Sequence, residues 1–293
     1  MCKKGDRRMI KVVADSTCDL SQELIQRYGI EILPLHVLLG EKEYKDGVDI
    51  TPAEIYEWSD SNKTTPKTSA PSVEDATAVF KRILDEGDEI ISFAISASMS
   101  ASCEYMQIAA EELEAEDRVS VIDSANLSTG IGLIVIEAAI LAREGKTRAD
   151  IVQAIEAYKP LVRASFVVDT LVYLHRGGRC SSIAALAGGA LKLHPKITVA
   201  NGEMSATKKY RGRYDHIVLQ YVKDMEEELK TAKPDRVFIT HSGIEEEIVE
   251  AVREYLNKLG RFEEIHETRA GGVVSSHCGP GTLGVLFIAA DNT

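Results

Sequence analysis

The residues most able to do chemistry are hydroxyls gathered in short polar runs. Ser96-Ala97-Ser98-Met99-Ser100-Ala101-Ser102 places four of them between an apolar run and the start of a helix. Free backbone N–H groups at such a junction favour a bound anion, and the small side chains let a carboxylate approach the backbone. The same run also reads as one N-capping serine with the others in solvent, and the residues alone leave both readings open. Thr65-Pro66-Lys67-Thr68-Ser69-Ala70-Pro71-Ser72 reads as a loop stiffened by two prolines, presenting the Thr68 and Ser69 hydroxyls between them. His277-Cys278-Gly279-Pro280-Gly281-Thr282, preceded by Gly271-Gly272, reads as a tight turn or a close backbone approach in which His277 donates a hydrogen bond or carries a proton. Asp15-Ser16-Thr17-Cys18-Asp19 reads first as a strand-end turn with a cap. Two basic outcrops, Leu174-His175-Arg176-Gly177-Gly178-Arg179 and Lys208-Lys209-Tyr210-Arg211-Gly212-Arg213, read as surface charge or as a dock for a phosphate or an acidic partner.

What is missing narrows the chemistry. No GxSxG elbow marks a serine hydrolase, and neither GxxxxGK[ST] nor a strand-to-helix GxGxxG marks a nucleotide site. Cys2, Cys18, Cys103, Cys180 and Cys278 are odd in number and scattered without a CxxC pair, so they read as reduced thiols rather than disulfides or zinc ligands. No metal site is expected.

The elements that must position these groups alternate between strand and helix. Apolar runs at Ile10–Ala14, Ile30–Leu39, Ile90–Ser96 and Val119–Asp123 read as strands. Helices are read over Ser21–Tyr28, from Thr51-Pro52, from Ser72 to Asp85, over Ser100–Glu114, Ser128–Arg143 and from Thr147. Such alternation implies a largely parallel sheet covered on both faces. The texture then changes. Phe166–Val168 reads as a strand, Cys180–Ala190 as a small-residue stretch and Lys196–Lys208 as a hairpin about Asn201-Gly202. One long charged helix is read over Arg213–Ala232, followed by a strand at Val237–His241, a helix over Glu245–Leu259 and a closing strand at Leu283–Ala290.

The expected fold is therefore α/β in two domains. Residues 8–160 form a three-layer, mostly parallel sheet domain and residues 161–293 a two-layer α/β domain, with the ligand between them. A chain of 293 residues exceeds the size at which one core usually stops growing. With 46 acidic against 34 basic side chains the net charge is -12, and no basic track interleaved with aromatics suggests nucleic acid. The longest apolar helix candidate, Ile131–Ala142, is interrupted by Glu137 and is too short to span a bilayer. The amino terminus lacks the apolar stretch of a signal peptide, so a cytoplasmic location is expected, with membrane contact no more than transient.

Taken in order, these motifs resemble the DegV family. The likeness is carried by Asp15 to Leu20, Thr68-Ser69-Ala70-Pro71-Ser72, Ser96 to Ser102, Val121-Ile122-Asp123-Ser124 with Gly130 and Gly132, Leu174 to Arg179, and His277 to Thr282. The resemblance implies a carrier without catalytic residues or cofactor of its own, burying one long-chain fatty acid between its domains. It is similar to the binding subunit of bacterial fatty acid kinase, which presents the acyl carboxylate to a separate ATP-using subunit for acyl-phosphate formation. By the same resemblance Thr68, Ser69, Ser96, Ser98, Ser100, His277 and Gly279 hold the carboxylate, and Arg179 and Arg211 face the kinase. The sequence departs from the family where Ala70 replaces a usual Gln, Ala101-Ser102 a usual Gly-Thr and Cys103 a usual Tyr. The lost glycine restricts the loop and reshapes the seat. An alternative implied function is lipid sensing without kinase coupling; a serine-dependent hydrolase is a weaker one. The physics suits a lipid: about fourteen buried methylenes at roughly 0.8 kcal/mol each supply on the order of 11 kcal/mol before association costs. The run Ile183–Leu193 reads as packing or as tunnel wall.

Overall fold

Continuous apolar runs and capped helices alternate through the first half of the chain, and they fold as that alternation demands. The computed structural model describes residues 9–183 and 193–290. Its first half runs β1 (Ile10–Asp15), α1 (Gln22–Tyr28), β2 (Glu31–Leu33), β3 (His36–Leu39), β4 (Lys42–Lys45), α2 (Pro52–Asn62) and β5 (Lys67–Ser69). It continues with α3 (Val73–Asp85), β6 (Glu89–Ala94), α4 (Ser102–Glu112), β7 (Val119–Asp123), α5 (Thr129–Arg143) and α6 (Arg148–Tyr158). Strands β2-β1-β6-β7 form a parallel sheet. Phe80 and Met106 of α3 and α4 pack with Val13 and Ile90 on one face of it, while Leu24 and the length of α5 pack with Val12 and Phe93 on the other. This is the expected three-layer arrangement.

The second half runs β8 (Val162–Val167), α7 (Val172–Gly177), β9 (Leu193–Ala200), β10 (Glu203–Arg211), α8 (Tyr214–Lys223), α9 (Glu226–Thr231) and β11 (Ala232–His241). Then come α10 (Glu246–Leu259), β12 (Glu264–Arg269), α11 (Gly272–Cys278) and β13 (Leu283–Ala289). Six strands in the order β10-β9-β8-β13-β11-β12 make a mixed sheet in which only β11 and β12 are parallel. Helices α8 and α10 cover one face through Tyr221, Val222 and Val252. The other face, with Phe166, Phe238 and Leu286, packs on α5. Helix α5 is thus apolar all round because a sheet lies on each side of it. Its buried Glu137 is paired with the buried Arg236 and, at 3.0 Å, with Lys233. None of the described helices is long and apolar enough to cross a membrane.

Several expectations need correcting. The run Ile30–Leu39 is not one strand: Pro34, which has no N–H to give a ladder, ends β2 in the parallel sheet, and β3 starts in a separate antiparallel sheet ordered β4-β3-β5. Thr65–Ser72 is not all loop, because Lys67–Ser69 is strand β5, with Val37 opposite Thr68. Ala101, not a serine, stands at the N-cap of α4, while Ser100 Oγ accepts the N–H of Ser102, the first residue of the helix, at 3.3 Å. The long helix over Arg213–Ala232 breaks after Lys223, and Ala232 opens β11. Residues around His277 are helical, not a turn, up to Cys278. Of the small-residue stretch and candidate wall Ile183–Leu193, residues 184–192 lie outside the described residues.

Candidate ligand-binding site

A cavity of about 220 Å³ opens between the two sheets, against the roughly 10–15 Å³ that one water needs. Phe166, Gly284 and Leu286 of the mixed sheet form one wall, and Ile95, Met99 and Leu127 another. Val273, Val274 and Cys278 of α11, together with Met204 and Leu174, complete an apolar tube. At its polar end lie Thr68, Ser69, Ser100, Arg179 and His277. Tyr105 of α4 lies against the cavity and is 37% exposed, so it belongs to the rim.

The polar end is built from two elements distant in sequence. Strand β5 carries Thr68, and the last turn of α11 carries His277; Thr68 Oγ1 and His277 Nε2 are 2.8 Å apart. His277 Nδ1 is buried without a protein partner and lies against Gly177, the last residue of α7. A buried orphan N–H is costlier than an orphan lone pair, which puts the proton of the neutral ring on Nε2, donating to Thr68. The Thr68 O–H is then free to donate into the cavity. Burial, reinforced by the charge of Arg179, lowers the His277 pKa to about 4, so the ring is neutral at physiological pH. Arg179 donates to the Gly177 carbonyl at 2.7 Å and makes no ion pair among the described residues. It is an exposed cation on the rim of the cavity, beside His277. Neighbouring Cys278 is pushed up to about 12 by burial, which makes it an inert thiol.

The residues expected at the site separate into two groups. Thr68, Ser69, Ser100 and His277 line the cavity, and so does Arg179, which was read as partner-facing. Ser96, Ser98 and Gly279 do not line it. Ser96 Oγ donates at 2.7 Å to the Gly202 carbonyl, and Ser98 Oγ donates to the same oxygen. Both serines therefore grip the β9–β10 turn, where Asn201 and Gly202 have positive φ. Gly279, with φ 74°, faces Tyr173 and gives its carbonyl to Ser242 Oγ at 2.5 Å. Arg211 lies exposed at the end of β10. Sequence reasoning missed Ser128 and Thr240, which line the cavity; both belong to stretches that read simply as helix start and strand end. Gly279-Pro280-Gly281-Thr282-Leu283-Gly284 spells GxGxxG, yet it leads from α11 into β13, the reverse of the order that seats a phosphate on a helix. Among the described residues no group of His, Cys, Asp and Glu is arranged to hold a metal, and the four described cysteines are unpaired.

Between the sheets of this mixed α/β molecule lies a largely apolar cavity bordered by hydroxyls, a neutral imidazole and an exposed guanidinium. The chain belongs to the DegV family, a family described as uncharacterised, whose profile matches residues 9–290. It is 33% identical over 280 residues to a DegV domain-containing protein of Deinococcus radiodurans, covering 95% of this chain and 98% of that one. Among solved structures it resembles a DegV family protein of Thermus thermophilus described by its fatty acid binding (TM-score 0.88, 33% identity, 96% of this chain and all of that one). It also resembles DegV, a fatty acid binding protein of Bacillus subtilis (TM-score 0.83, 29% identity, 97% and 100% covered). A stearic acid-binding protein of Eubacterium ventriosum is a third (TM-score 0.84, 29% identity, 96% and 98% covered).

Proposed function

We propose that the protein binds one long-chain fatty acid with its tail in the tube and its carboxylate at Thr68, Ser69, Ser100 and His277, and presents that carboxylate to a separate ATP-using kinase subunit. The observation that carries this reading is the Thr68–His277 pair at the polar end of a largely apolar cavity. The fatty acids named for three structural relatives support the ligand class. We assign Ser96 and Ser98 to holding the β9–β10 turn and Gly279 to the chain path behind α11, not to the ligand. Arg179 supplies the nearest positive charge. Its exposure at the mouth, with Arg211 on an outer strand, supports a role for both in meeting the kinase.

The tail supplies most of the affinity and the head its direction. Thr68→Val is expected to weaken palmitate binding roughly tenfold to a hundredfold, the loss of one hydrogen bond to a charged group, while leaving hexadecanol binding nearly unchanged. Titration calorimetry with the two ligands checks this; equal losses for both would place Thr68 on the tail instead. Arg179→Ala with Arg211→Ala is expected to cut acyl-phosphate formation in the presence of the cognate kinase subunit. Undiminished formation would remove the kinase-facing role.

A further inference from the structure

The imidazole of the site is carried by α11, and what holds that helix belongs to the other half of the chain. Asp19 Oδ1 accepts the Gly271 N–H at 2.8 Å and Oδ2 accepts Ser128 Oγ–H at 2.6 Å. Asp46 Oδ1 accepts the Gly272 N–H at 2.6 Å, and its other oxygen accepts Ser16 Oγ–H at 2.9 Å, while Ser16 Oγ accepts the Leu35 N–H at 3.1 Å. Two carboxylates thus receive the first N–H groups of a seven-residue helix whose last turn presents His277 to Thr68. The helix is held at both ends by residues of the first half, although it lies between two strands of the second.

The glycines at its start fit this purpose. A Cβ at Gly272 would lie 2.9 Å from both Asp46 Oδ1 and Ile55 Cδ1, and one at Gly271 would lie 3.2 Å from Asp19 Oδ1 and Asp46 Oδ2. The chain gives up helix propensity there so that the carboxylates can reach the backbone. Asp19 and Asp46 are buried, and neither has a cation within ion-pair distance among the described residues. Burial raises the pKa of Asp19 to about 8 and that of Asp46 above the usual carboxylate range. Such groups cost stability relative to apolar packing, so their gain lies in what they hold in register.

We propose that Asp19 and Asp46 are positioning residues of the head-group seat: by clamping the amino end of α11 they set His277 Nε2 opposite Thr68, and so fix the preference for a carboxylate without touching it. This rests on the proposed fatty-acid function. Asp15 provides an internal control, because its oxygens hold the N–H groups of Thr17 (3.1 Å) and Ile95 (2.8 Å) and none of α11.

The test uses the full chain with Asp19→Ala, Asp46→Ala, the two Asp→Asn variants and Asp15→Asn. Two readouts are taken: the 15N shifts of the His277 ring in the ligand-free protein, and the affinity ratio of palmitate to hexadecanol. The alanine variants are expected to shift His277 Nε2 and lower the ratio at least tenfold. The asparagine variants keep an acceptor for the glycine N–H groups and are expected to restore both, and Asp15→Asn to leave both unchanged. Where alanine variants do not fold, Gly272→Ala displaces the helix start with both aspartates retained and is expected to give the same losses. Folded alanine or Gly272→Ala variants with wild-type ring shifts and ratio would overturn the clamp. If the wild-type protein binds no palmitate, the fatty-acid reading fails, while the ring shifts still decide the clamp.

Discussion

At the scale of single residues, function turns on where hydroxyls point, and sequence could not settle that. The run from Ser96 to Ser102 was legible as polar and adjacent to a helix start, but only packing separates Ser100, which lines the cavity, from Ser96 and Ser98, which hold Gly202. Thr68 and His277 were legible as candidates through family likeness; their contact, at a separation of 209 residues, has no local signal. Gly177 shows how tightly the imidazole is backed. A Cβ there would run into His277 Nδ1, so Gly177→Ala is expected to push the ring from Thr68 and lower palmitate affinity with little effect on hexadecanol. Calorimetry with both ligands reads the difference, and parallel losses would show that α7 moved instead.

Among elements, the well-capped helices were the easiest to read. Thr51 and Thr147 form capping boxes with Glu54 and Asp150, and Ser72 accepts the Asp75 N–H at 3.0 Å. Short pieces were the hardest. Strand β5 has three residues and α11 begins with glycine, so neither reaches the length at which periodicity speaks, and both exist because tertiary partners complete them. Helix α5 was read correctly as long and apolar, yet the meaning of Glu137 lay in its partners. Removing it leaves the buried Arg236 with only the distant Asp235, at 4.0 Å, so Glu137→Ala is expected to cost about 3 kcal/mol, while Glu137→Leu with Arg236→Met recovers much of that. Urea unfolding measures both, and a double variant no better than the single one would contradict this account.

For the whole molecule, the alternation of elements announced the parallel sheet, while the order of the mixed sheet depended on long-range pairing that no local pattern encodes. Its buried acids give the protein an unusual pH response. Asp15 and Asp19 are raised from 3.8 to about 6 and about 8, so the folded state holds protons that the unfolded chain has lost, and stability falls as pH rises through those values. His241, His266 and His277 are lowered from 6.5 and act in the opposite sense, but only below about pH 6.5. Above pH 7 the aspartate effect remains. The melting temperature is expected to decline between pH 7 and 8.5, and Asp19→Asn to flatten that decline; an unchanged slope in the variant would assign it to other groups.

The separation of the two halves of the seat also bears on how the protein comes into being. Thr68 on strand β5 leaves the ribosome 209 residues ahead of His277 on α11, so a growing chain has one half of the seat long before the other. Until the segment 272–278 is made, the Thr68 hydroxyl has no imidazole beside it and the cavity lacks the wall that α11 and β13 supply. The seat is therefore completed only when α11 folds back against β5.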